Sequence, residues 1–531
     1  MRPFLFVSLL FPVFSLQTMN ASRRHILIPL SLLLLFCASF FCTSVAQAQA
    51  ATSKPDLVLK GDVVGKQNNT YVVVPFKVPS GTHRVTLHFS YTGREEHAVL
   101  DLGMRDTVGL RCWSGGNKSV LTVSLADATP SCLAGPITAG TWSVLIGVPN
   151  IRPQSTAHFT AELYFTRTGL VADEPAMLRA PIRSGPAWYR GDLHMHTAHS
   201  DGSCASQSGA SVPCPVFLTV EAAARRGLDF IALTDHNTTT HYEAMRELAP
   251  YFDKLLLIPG REITTFHGHA NIFGTEDFLD FRLGSPAVPD MNTLLRRSQA
   301  LGAVFSINHP GAPTGERCMG CGWNPSPPAD MRLVSAVEAV NSGSEQGPYS
   351  GIPFWEKQLD SGFRLTAIGG SDNHNAPKPL DQVGSIGSPT TVVYAGDLST
   401  PAILAAIRAG HVFIDLTASR DKLLEVRAGS GDSVASMGDE LAAKSGAQVH
   451  FEIHTVHAEG GELTLLQDGS PLKDAQWKLS AADTTSSFDW TSDDKRHWIR
   501  ADVHGPDGKL WLLGNPIYVN WEAATKSGEA Q

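Results

Sequence analysis

Between His194 and His374 the chain carries six short motifs of metal-ligand residues, and each closes a stretch that reads as a β-strand. They are Asp192-Leu193-His194-Met195-His196 running on to Asp201, then Thr234-Asp235-His236, Gly260-Arg261-Glu262, His267-Gly268-His269, Asn308-His309-Pro310 and Asp372-Asn373-His374. A fold that accommodates this pattern must gather the ends of many strands at one place. An α/β barrel does so, because its functional residues collect at the C-terminal ends of its strands.

The texture around the motifs agrees. Helix-like Leu218 to Arg226 leads into Asp229 to Thr234, Thr293 to Leu301 into Ala303 to Ile307, and Pro353 to Ser361 into Arg364 to Gly369. Such βα alternation indicates an α/β barrel over 189–420. Before it, short β-rich runs such as Thr70 to Phe76, His83 to Phe89 and Trp142 to Val148 alternate with turns, which predicts a β-sandwich over 51–170 followed by a linker at 171–188. That sandwich looks like the jelly-roll domains appended to secreted hydrolases. After the barrel, runs such as Val449 to His454 and Trp498 to Val503 suggest an immunoglobulin-like sandwich over 421–523, with a disordered tail at 524–531.

The N-terminus reads as a targeting segment. Arg23-Arg24 precede an apolar run from Ile26 to Phe41 and the small residues of Val45 to Ala50, the three regions of a secretory signal peptide over 1–50. A membrane anchor is the competing reading, but the run is shorter than the ~20 residues that a span needs. Translation could begin at Met1 or Met19, and Ser22-Arg23-Arg24 also resembles a twin-arginine export signal. The expected location is periplasmic or secreted, with no membrane span after cleavage. Six cysteines follow the segment, an even count that favours disulfides in an exported chain. Sequence neighbours pair Cys112 with Cys132, Cys204 with Cys214 and Cys318 with Cys321. A formal charge of −9 without a basic block gives no footprint for nucleic acid.

Neutral imidazoles and carboxylates are ligands for Zn, Mn or Fe ions. His194 and His196 alternate along one strand, so both rings can project to one face. If these groups merely lined a polar mouth, crowded carboxylates and imidazoles would be left without compensation, at a large desolvation cost.

On these motifs the region from about Tyr189 to Asp415 resembles the PHP (polymerase and histidinol phosphatase) family of metal-dependent hydrolases. The resemblance implies a distorted (β/α)7 barrel holding two or three divalent cations. It places His194, His196, Glu262 and Asp372 around one ion, with Glu262 bridging to a second held by His269 and His309. A third ion would take Asp201, His236 and His374. Glu262 and Asp372 would act in catalysis through the ions. His269 is preferred to His267 because it opens the strand Ala270 to Phe273, as in the family pattern. The runs His269 to Gly274 and Gly410 to Phe413 look most like the branch that includes carbaryl hydrolase.

Hydroxide held between two cations is a strong nucleophile at neutral pH. The expected function is therefore metal-dependent hydrolysis of a small-molecule ester, a phosphoesterase first. Carboxyl or carbamate ester hydrolysis is the alternative, and a non-catalytic extracellular scaffold the second alternative. A phosphoesterase should aim a cation at the centre; Arg261, Arg317 and Lys378 are nearest in sequence.

Overall fold

The computed structural model describes residues 54–125, 128–167, 180–315, 318 and 320–521. The expected signal segment at 1–50, the first half of the linker, the tail at 524–531 and Arg317 lie outside them.

Along Leu57–Val64 and Thr156–Arg167 burial alternates residue by residue, as a half-covered strand requires. Two four-stranded antiparallel sheets result. One runs in the order Leu57–Val64, Thr156–Arg167, Thr82–Tyr91, Val120–Ser124, and the other Thr70–Val78, Gly140–Asn150, Val99–Arg105, Leu110–Trp113. Their facing sides bury Leu87, Leu121, Trp142 and Leu163. A Cys112–Cys132 disulfide ties the last strand of the second sheet to the loop beyond it.

The segments that follow alternate between strands and helices. They are β1 (Arg183–Asp192), α1 (Val216–Arg226), β2 (Phe230–Leu233), α2 (His241–Leu248), β3 (Leu256–Thr265), β4 (Gly268–Phe273), α3 (Met291–Ala300), β5 (Val304–Ile307), β6 (Ala336–Asn341), α4 (Ile352–Asp360), β7 (Thr366–Gly370), β8 (Thr390–Leu398), α5 (Thr400–Ala409) and β9 (Val412–Asp415). Every residue of β2, β5, β6 and β7 is buried, the signature of strands covered on both sides. α5 shows how sequence sets a covering helix: Ser399 caps its first turn, and Ile403, Leu404 and Ile407 pack with Val393 and Val412.

The strands lie in the order β7-β6-β5-β4-β3-β2-β1-β8-β9. Neighbours from β1 to β3 and from β5 to β7 are parallel, but β4 is antiparallel to both β3 and β5, and β8 to both β1 and β9. A regular closed (β/α)7 barrel is therefore not what forms. Only Phe266 and His267 separate β3 from β4, too few for a crossover helix, so the chain doubles back as a hairpin. No backbone ladder joins β7 to β8 among the described residues. The hydroxyl of Thr391 spans that gap instead, accepting from Gly369 N at 2.8 Å and donating to its carbonyl at 2.7 Å.

The same sheet continues beyond β9 through Leu510–Gly514, His497–His504, Glu462–Gln467 and Ser470–Lys478. A second antiparallel sheet of Ser433–Ser436, Leu423–Ser430, Gln448–Val456 and Asp483–Thr491 packs on it. The core between them takes Phe451, Leu463 and Val503 together with Val392 of β8 and Phe413 of β9. The C-terminal sandwich thus shares both sheet and core with the central region.

Candidate metal centre

At the end of β1 the extended chain puts His194 and His196 on one side and Met195 on the other, where Met195 joins an apolar cluster. The two imidazoles converge on the same carboxylate oxygens. His194 Nε2 lies 3.5 Å from Glu262 Oε2 and 3.3 Å from Asp372 Oδ1, and His196 Nε2 lies 3.5 and 3.2 Å from them. The other oxygen of Glu262 faces a different pair: Oε1 is 3.3 Å from His269 Nδ1 and 3.6 Å from His309 Nε2. At the rim, Asp201 Oδ1 lies 3.3 Å from His374 Nε2, 3.6 Å from His236 Nε2 and 3.9 Å from His196 Nδ1. All nine side chains picked out in the sequence are thereby brought together. Two of them, His309 and Asp372, hold positive φ angles of 26° and 49°, a strained backbone of the kind that collects at functional sites.

Whether these residues suit cations can be tested on their unpaired atoms. His194 Nε2, His196 Nδ1, Glu262 Oε2 and His309 Nδ1 are buried without a hydrogen-bond partner. Orphaned buried polar atoms are rare and costly, and a cation between them would satisfy several at once. The sets His194/His196/Asp372, His194/Glu262/His309 and His196/Asp201/His236/His374 each offer ligand atoms within 4.8 Å of one another. The donors fit divalent metal ions.

The electrostatics point the same way. Burial disfavours the His194 imidazolium, but Asp372, Glu338 and Glu262 outweigh it and hold its pKa well above the ordinary value. Burial also opposes protonation of His236, yet Glu262 and Asp201 push it up to about 10. Glu262 and Asp372 move oppositely. Burial raises both, and the facing imidazoles, His236 and His194 for one, His194 and His196 for the other, hold them well below the carboxylate range. His196 itself is lowered, with burial prevailing over Asp372 and Glu262. Anionic carboxylates thus compete for positive charge at the centre, which a divalent cation supplies more fully than shared protons.

Further residues support the nine, and one of them, Glu338, lies outside the motifs. Glu338, buried in β6, places Oε1 2.9 Å from His194 Nδ1, and its Oε2 accepts from His309 N at 3.0 Å and Asn341 Nδ2 at 3.1 Å. It fixes which ring nitrogen of His194 faces the centre. Gly370 makes room for it, since a Cβ there would collide with Glu338 Oε1 and His194 Cβ. Asn308 donates to Glu262 Oε1 at 2.9 Å, and buried Asp192 accepts from the backbone of His194, Ser371 and Gly387. The readable signal for Glu338 was an acid inside the apolar run Ala336-Val337-Glu338-Ala339-Val340.

Other residues near the motifs lie elsewhere. His267 is exposed on the β3–β4 turn, whereas His269 is buried against Glu262. Asp235 points away from the centre and accepts from Thr197 N, Thr197 Oγ1 and Ser200 Oγ, which holds the turn leading to Asp201. His241 is buried and bonded to the Gly260 carbonyl, and His199 pairs with Thr240 Oγ1. Arg261 alternates away from Glu262, lies over the Phe278 ring and donates to the Asp277 carbonyl. Cys318 and Cys321 form a disulfide, but Cys204 and Cys214, expected to do so, are free buried thiols. Cys204 faces Val212 in the hairpin Ser203–Ala205/Ser211–Pro213 and Cys214 follows directly after it, and the two thiols are in contact: burial first, then the neighbouring Cys204, pushes the Cys214 thiol up.

No protein-family model matches the chain, and no curated protein matches it. Among solved structures it is similar to a two-domain protein containing a predicted PHP-like metal-dependent phosphoesterase from Bacteroides vulgatus ATCC 8482. Identity is 20% and the TM-score 0.35, over 65% of this chain and 99% of that one. So distant a likeness leaves function to be argued from the side chains, and it does not bear on the expected nearness to carbaryl hydrolase.

Proposed function

We propose that the chain is a PHP-type metal-dependent hydrolase acting on a small-molecule ester, and specifically a phosphoesterase. The observation that carries this reading is Glu262: its Oε2 faces His194, His196 and His236, the last at 2.9 Å, while its Oε1 faces His269 and His309, so its two oxygens look toward separate sets of imidazoles as in a carboxylate shared between cations. In this reading the central sheet is a distorted PHP barrel. His194, His196, Glu262 and Asp372 hold a first ion, Glu262 with His269 and His309 a second, and Asp201 with His236 and His374 a third, the metals being Zn, Mn or Fe. Bound there, such cations supply Lewis acidity that acidifies water and polarises an ester oxygen. The chain's own part is to fix that chemistry in place. Glu338 and Asn308 orient His194 and Glu262, the buried floor excludes bulk solvent, and the rim at Asp201 and His374, 58% and 39% exposed, leaves the approach open to substrate.

One observation favours a second reading, hydrolysis of a carboxyl or carbamate ester. Arg261, the cation adjoining Glu262, turns away from the centre where it would hold phosphoryl oxygens. A non-catalytic scaffold is disfavoured by the cost of burying unpaired ligand atoms for no purpose. Export to the periplasm or beyond accords with the disulfides Cys112–Cys132 and Cys318–Cys321, and no helix among the described residues is long and apolar enough to cross a membrane. Assay of the metal-loaded mature chain on an aryl phosphate, a phosphodiester and a carboxyl ester tests the assignment. Turnover of a phosphate ester is expected; turnover of the carboxyl ester alone would overturn it.

A further inference from the structure

A tenth potential ligand stands at the centre that no motif includes. The sulfur of Cys321 lies within 4.8 Å of ligand nitrogens of His269 and His309, and the residue is 1% exposed. The loop carrying it is driven inward by design of its backbone: Gly320, at φ +79°, passes so close over Thr265 and Phe266 that a Cβ would strike the Thr265 carbonyl. Backbone bonds from Trp323 N to the Pro310 carbonyl and from Asn324 N to the His267 carbonyl, both 3.0 Å, clamp the loop onto the turns that bear His309 and His269. Cys321 also shares a disulfide with half-buried Cys318. A sulfur in a disulfide cannot act as a thiolate ligand, so its two roles exclude each other.

We propose that Cys318–Cys321 is a redox switch on the second metal position, a proposal that rests on the metal-centre reading above. On that reading the oxidised chain offers this position Glu262, His269 and His309, three protein ligands, one fewer than a closed tetrahedral site takes. Reduction by a dithiol passes two electrons and two protons to the Cys318–Cys321 bond, leaving two thiols and an oxidised dithiol. The Cys321 proton then goes to solvent as its sulfur joins the two imidazoles and the carboxylate around the ion. Four protein ligands close a site, as in structural zinc centres, whereas three keep it open for chemistry. The device would hold the centre closed under reducing conditions and open it where disulfides form.

Cobalt(II) reports the difference, since a thiolate ligand adds a sulfur-to-metal charge-transfer band to the ligand-field spectrum. Cobalt-loaded Cys318→Ser, in which Cys321 is permanently free, should show that band without reductant. The oxidised wild type and Cys321→Ser should lack it, and wild type treated with a phosphine reductant should acquire it, which keeps the test alive if a variant misfolds. Cobalt bound with a ligand-field spectrum but no sulfur band in reduced wild type or Cys318→Ser would overturn the switch and leave the metal centre standing. Failure of wild type to bind cobalt at all would overturn the metal-centre reading, and the switch with it.

Discussion

Glu338 grips His194 by the nitrogen that faces away from the centre and, through its other oxygen, fixes the backbone of His309. Removing such an outer partner typically weakens metal affinity or activity by about 10–100-fold. That is the expected loss for Glu338→Gln in a metal titration, with the fold unchanged by circular dichroism. A second residue sets an acid limit. His241 is wholly buried, and burial, prevailing over nearby Asp235, depresses its pKa to about 4. The unfolded chain takes that proton near pH 6.5 and the folded chain only near pH 4, so the unfolded state is favoured across that window. His241's effect is absent above pH 6.5 and grows to on the order of 2–3 kcal/mol of lost stability at pH 4. Urea unfolding at pH 7 and pH 4.5 should show a smaller drop for His241→Gln than for wild type. The nine residues that converge here were legible in the sequence because chemistry restricts a candidate ligand to few residue types. Glu338 was not singled out, because its role depends on β6 lying beside the centre, a neighbour relation that no local spacing encodes.

At the scale of elements, the turn from Thr197 to Gly202 carries Asp201 away from β1, and Asp235 at the end of β2 holds it through three hydrogen bonds. Asp235→Ala should free that turn and cost the third ion while the first two remain, read as a fall of about one metal equivalent per chain by elemental analysis. Opposite placement of Asp235 and His236 followed from strand alternation alone. Strand direction did not follow. Full burial made Val304–Ile307 and Thr366–Gly370 readable as core strands, but periodicity is blind to whether neighbours run parallel. The two-residue turn at Phe266–His267 is what reverses β4 and replaces a regular barrel with a mixed sheet. The same reversal carries His269 back toward Glu262 and leaves His267 at the tip.

Across the whole molecule, one sheet runs from β7 through the metal centre to the far edge of the C-terminal sandwich. A change of texture near residue 420 marked the sandwich in the sequence. The pairing of β9 with Leu510–Gly514 joins segments about a hundred residues apart and left no local trace. An ion pair reaches the N-terminal sandwich: Glu276, just beyond β4, pairs with Arg84 of the sandwich as well as with Arg246 of α2. What the assembly accomplishes is to bring nine candidate ligands, from within β3 and β4 and from just beyond β1, β2, β5 and β7, to one site with a buried floor and an exposed rim. In the proposed reading this floor holds divalent cations shared through Glu262. Elemental analysis of the mature chain purified without chelator, beside Glu262→Gln, tests this most directly. Two to three equivalents of Zn, Mn or Fe are expected in the wild type, falling by at least half in the variant. A well-folded wild type carrying no divalent metal, and taking none up on titration, would contradict the account.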